Sequence, residues 1–134
     1  MKTLLWLDDY RDPNDKSIDW MVFSPIGRNV NIVWVKSYGE FIDYLNKNKL
    51  PDGICFDHDL GVPNHNKRVA EGMSKRQSRK LKPLEKTGYD AAKWLVEYCL
   101  DNELTLPKWN CQSANPVGRD NINGLLNNFK RTIN

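Results

Sequence analysis

Apolar and polar positions follow two different rhythms along this chain of 134 residues. Short, nearly continuous apolar runs at Thr3 to Leu7, Asn31 to Val35 and Gly53 to Phe56 predict strands covered on both faces, as in a parallel sheet. Stripes of helical period lie between and after them. Ser37-Tyr38-Gly39-Glu40 fits a capping box opening a helix whose apolar face is Tyr38, Phe41, Ile42 and Leu45, and Pro51 stops it. Thr87-Gly88-Tyr89-Asp90 opens another, carried by Ala91, Trp94, Leu95 and Tyr98 and ending near Asp101. Trp109 to Gln112 alternates apolar and polar, which predicts a fourth strand at a sheet edge. Asn115-Pro116 caps a final helix with Ile122, Leu125, Leu126 and Phe129 along one side. A weaker, Pro-bounded pattern of Ile18, Met21 and Val22 predicts a short helix after the first strand.

Strand and helix alternate, and no Asn-Gly turn sits between alternating strands, so the connections are expected to be right-handed crossovers. The expected architecture is a three-layer α/β fold with four parallel strands in the order 2-1-3-4, one domain over residues 1–134. Ligands of such sheets bind beyond the carboxyl ends of the strands, where the strand order reverses, here between the first and third strands. Those ends read Asp8-Asp9 and Asp57-His58-Asp59.

Composition changes this picture in three places. The chain is 40% hydrophobic and 28% charged, a folding composition. Its apolar runs are far too short to span a bilayer, and two carboxylates interrupt the N-terminus before a signal-peptide core can form, so no membrane association and a cytoplasmic location are expected. Cys55, Cys99 and Cys111 stand singly among apolar residues, as buried thiols do. The net charge of +3 is uneven: residues 62–87 hold eight Lys and Arg against two Glu, leaving the rest acidic. This stretch has no sustained period and is read as one basic insertion, either folding over an anionic substrate or a solvated face. It holds no aromatic residue to stack on a base, and nothing points to sequence-specific DNA binding.

Carboxylates converging on one sheet edge repel unless protonated or neutralised, and a hard divalent cation is their natural neutraliser. Mg²⁺ or Mn²⁺ is therefore expected, with Asp8 or Asp9 together with Asp57 sufficient to hold it, Asp59 or His58 left for proton transfer and Asp57 itself a catalytic candidate. After the fourth strand, Ser113 is placed to donate to a phosphate oxygen, and Asn115 to Gly118 begin a helix whose free amides attract anions. Simple capping explains the same residues. Arg11 is placed either to clamp a phosphate or to pair with the neighbouring aspartates.

Four motifs in order, Leu7-Asp8-Asp9-Tyr10-Arg11-Asp12-Pro13, Phe56-Asp57-His58-Asp59-Leu60-Gly61, Gly88-Tyr89-Asp90-Ala91-Ala92 and Ser113-Ala114-Asn115-Pro116-Val117-Gly118, resemble the cyclic-phosphate processing receiver-like family. The resemblance spans essentially the whole chain. It implies a flavodoxin-like relative of bacterial and phage two-component receivers, with Asp8, Asp9 and Asp57 as a receiver-type acidic pocket. His58, Asp59, Ser113 and Asn115 look like the family's additions to it. The implied activity is metal-dependent phosphodiesterase chemistry on a cyclic phosphate, such as a 2′,3′-cyclic phosphate RNA end or a cyclic nucleotide. Gln112 stands where the family often carries a histidine, which keeps open a non-catalytic nucleotide- or protein-binding module. A phosphoacceptor signalling domain is a further alternative, disfavoured because no fifth strand ending in Lys follows the fourth.

Overall fold

The computed structural model describes residues 1–15, 20–60, 86–113 and 115–133. Its elements are β1 (Lys2–Leu7), α1 (Trp20–Phe23), β2 (Val30–Val35), α2 (Tyr38–Lys47), β3 (Gly53–Phe56), α3 (Gly88–Asp101), β4 (Lys108–Cys111) and α4 (Pro116–Ile133). The strands form one parallel sheet in the order β2-β1-β3-β4, as the alternation of elements requires, and β4 takes the edge. This is a flavodoxin-like, receiver-like α/β fold. The basic insertion lies outside the described residues except for Lys86 and Thr87, and Ile18 lies outside them as well.

Strand alternation divides the core. Leu5, Leu7, Ile54 and Phe56 face α2, α3 and α4, where Phe41, Leu45, Ala91, Ala92, Leu95, Ile122 and Leu126 bury against them. Leu4, Trp6 and Cys55 face the opposite side, covered by Trp20, Phe23 and Ile26. Among the described residues the two outer layers are therefore unequal: three helices on one face, a single helical turn and its flanking chain on the other. On that thin side the expected apolar face is corrected. Met21 and Val22 stand 43% and 69% exposed, because Trp20 and Phe23 supply larger apolar surfaces and turn the helix toward themselves.

Both helix starts read from the sequence as capping boxes are capped. Ser37 accepts from the Glu40 amide at 3.1 Å, and Thr87 with Asp90 forms the full reciprocal box. The three cysteines are free and buried, which pushes each thiol up, to about 12 for Cys55 and Cys111 and about 11 for Cys99. Among the described residues no helix is long and apolar enough to cross a membrane.

Candidate active site

Sheet register builds the site. Leu7 pairs with Phe56, and Phe56 with Cys111, so Asp8, Asp57 and Gln112 emerge abreast at the carboxyl edge. Each continues the ladder by one bond: Asp8 N–H to Val35 O at 3.1 Å, Asp57 N–H to Leu7 O at 2.9 Å and Gln112 N–H to Phe56 O at 3.1 Å. The backbone thus fixes these side chains before any ligand arrives.

Asp8, Asp9 and Asp57 offer carboxylate oxygens that all lie within 4.8 Å of one another. Asp8 is 1% exposed, and its Oδ1 accepts the amides of Tyr10 and Arg11 at 3.0 and 2.9 Å. Its buried Oδ2 has no hydrogen-bond partner among the described residues and lies 3.7 Å from the Arg11 guanidinium. Burial, and then the charge of Asp8, push the Asp57 carboxyl up to about 6, against a smaller opposing pull from Arg11. Two indoles brace the loop: Trp34 donates to Asp8 O at 2.7 Å and Trp6 to Arg11 O at 3.0 Å.

Beside this cluster His58 Nδ1 lies 2.8 Å from Asp59 Oδ1, which also accepts Asn115 Nδ2 at 3.1 Å. A carboxylate oxygen only accepts, so Nδ1 carries the proton in this pair and Nε2 is left to exchange one. The Asn115 carbonyl in turn accepts the Gly118 amide at 3.1 Å, capping α4. Gly118 presses on the imidazole so closely that any Cβ there would overlap the ring. At the start of α3 the Gly88 amide donates to His58 O at 2.9 Å, and a Cβ at Gly88 would overlap the Asp57 carbonyl. The start of α3 is thus docked on the site itself.

The residues expected from the sequence are brought together at one edge of the sheet. Asp8, Asp9 and Asp57 form one cluster, and His58 and Asp59 form a dyad next to it. Ser113 is 2% exposed and accepts the Asn115 amide at 3.1 Å, which leaves its hydroxyl proton to donate. Asn115 and Gly118, expected to touch an anion, have their polar groups engaged in holding Asp59 and capping α4. Gln112 is the residue whose task sequence reasoning missed. Its Nε2 reaches over the end of β3 to Leu7 O at 3.0 Å, and its own carbonyl accepts from Arg11, which straps β1 to β4 beneath Asp57. Its Oε1 is the second buried acceptor with no partner among the described residues.

A parallel 2-1-3-4 sheet with clustered carboxylates at its switch point defines a receiver-like α/β domain. The chain belongs to the cyclic-phosphate processing receiver domain family, whose model matches residues 3–128. No curated protein and no solved structure matches it.

Proposed function

We propose that the protein is a metal-dependent phosphodiesterase that opens a cyclic phosphate. One observation carries the reading: a three-carboxylate cluster fit for a hard cation stands beside a His–Asp dyad fit for proton transfer. The orphaned, buried Oδ2 of Asp8 and the raised carboxyl of Asp57 are the marks of a site short of positive charge, so Mg²⁺ or Mn²⁺ fits, held by Asp8, Asp9 and Asp57. Such a cation supplies polarisation of the phosphoryl group and acidification of a bound water.

The remaining work belongs to the side chains. Water adds to phosphorus as one ring P–O bond breaks, and His58, entering the step protonated on both ring nitrogens, gives its Nε2 proton to the departing ribose oxygen and keeps Nδ1–H on Asp59. The Asp57 carboxylate is placed to take the proton that the water loses. Asp59, held by Asn115, keeps the imidazole in the required tautomer, and the close approach of Gly118 fixes its plane. The Ser113 hydroxyl and the Arg11 guanidinium hold phosphate oxygens.

The test incubates the protein with Mg²⁺, with Mn²⁺ and with EDTA against RNA ending in a 2′,3′-cyclic phosphate and against cyclic nucleotides, with products read by mass spectrometry. Metal-dependent ring opening should fall by roughly 10²- to 10³-fold in Asp57→Asn and in His58→Asn. Because Gln112 is committed to the strap and supplies no proton, a second reading is a module that binds such phosphates without turnover. Binding by calorimetry with no product under any metal would select it.

A further inference from the structure

The chain carries five Trp, five Tyr and four Phe, all within the described residues, and thirteen of these rings are buried or partly buried. Tyr10 is the exception, at 76% exposed. A large ring left in water forfeits the burial that places the other aromatics, and here it directly follows Asp9, with its amide pinned to Asp8 Oδ1 at 3.0 Å. Its backbone is thus fixed relative to the carboxylate cluster while its ring stands in solvent. Val117 is likewise exposed, at 69%, in the first turn of α4, one residue before the glycine that abuts His58. β1 and β4 flank β3, so the segments bearing Tyr10 and Val117 leave the sheet on opposite sides of Asp57.

We propose that Tyr10 is a stacking platform for a nucleobase, with Val117 as the apolar contact across from it, so that the substrate class is nucleoside phosphates rather than base-free cyclic phosphates. The placement rests on the proposed phosphate site and adds what that site lacks, a feature that distinguishes one cyclic phosphate from another. Stacking suits the position because every base offers a π-face, which makes the recognition tolerant of sequence. An exposed Tyr ring loses little conformational freedom on binding, having only two side-chain torsions to fix.

The experiment measures dissociation constants by calorimetry, with Mg²⁺ present, for adenosine 2′,3′-cyclic phosphate, a short RNA with the same terminus, and methyl ribofuranoside 2,3-cyclic phosphate. Wild type is compared with Tyr10→Ala, Tyr10→Phe and Val117→Ala. The platform requires about 5- to 100-fold weaker binding of both base-bearing ligands in Tyr10→Ala, near-wild-type binding in Tyr10→Phe, and no change for the base-free sugar. Whichever base-bearing ligand binds more tightly identifies the source of the base. Equal affinity for sugar and nucleoside in wild type, an unchanged affinity in Tyr10→Ala, or no binding of any ligand overturns it. A Tyr10-dependent base preference with no turnover overturns the phosphodiesterase reading alone.

Discussion

At the amino end of the sheet Asp52, exposed to water, accepts the Thr3 amide at 2.8 Å beside an open groove of about 400 Å³ lined by residues such as Ile26, Leu50, Leu106 and Lys108. At the carboxyl end of the same strands stand Asp8, Asp57, Gln112 and Ser113, the four buried polar side chains of the described residues. A polar group in water keeps its solvation and contributes little either way. A buried carboxylate or amide must find partners or destabilise the fold, and here two acceptors, Asp8 Oδ2 and Gln112 Oε1, have no hydrogen-bond partner among the described residues. One end therefore leaves its carboxylate solvated, and the other gives up stability to hold unneutralised oxygens in fixed positions.

The sharpest way to break the contrast is at Gly88. An added Cβ meets the Asp57 carbonyl, which cannot yield without moving the end of β3, so Gly88→Ala should lower the unfolding free energy by about 3 kcal/mol in urea titrations. A near-neutral result would show that α3 is not docked as tightly on the site. At Gly118 the obstacle is a side chain, the His58 ring, which can swing away. Gly118→Ala should accordingly cost about 10- to 50-fold in turnover with a urea midpoint close to wild type. Equal losses in stability and activity would contradict a purely positioning role.

Asp57 tests the same contrast through pH. Its carboxyl is raised from 3.8 to about 6, so the folded chain binds more protons than the unfolded chain between those values. Its contribution is least unfavourable below pH 4, worsens as pH rises from about 4 to 6, and stays unfavourable above. Without added metal, Asp57→Asn should stabilise the protein at pH 7.5 by about 2 kcal/mol, with the gain shrinking toward pH 4. Thermal melts across that range measure it, and a gain independent of pH would point to packing instead. At the amino end Asp52→Ala should cost less than about 1 kcal/mol and leave turnover unchanged. A larger loss there would erase the distinction between the two ends.

The strands were legible because Leu4 to Leu7 and Ile54 to Phe56 are apolar without interruption and end abruptly in acid. The convergence of Asp8 with Asp57 followed from topology, since a parallel alternating fold brings successive strand ends to one edge. The face of α1 was not legible: four residues give too short a period to separate Trp20 and Phe23 from Met21 and Val22. The strap was hidden as well, because Gln112 and Leu7 are separated by 105 positions and neither carries a motif for the contact.

Local chemistry in the chain determined its elements, its helix caps, the acidic strand ends and the buried thiols, since propensity, capping and hydrophobic period act between near neighbours. Tertiary structure alone decided which carboxyl is raised, that Asn115 serves Asp59, and that Arg11 reaches the Gln112 carbonyl. It also decided that Tyr10 is the one ring left in water. Desolvation and long-range hydrogen bonds depend on distances between residues far apart in sequence, and those distances exist only once the sheet register is set.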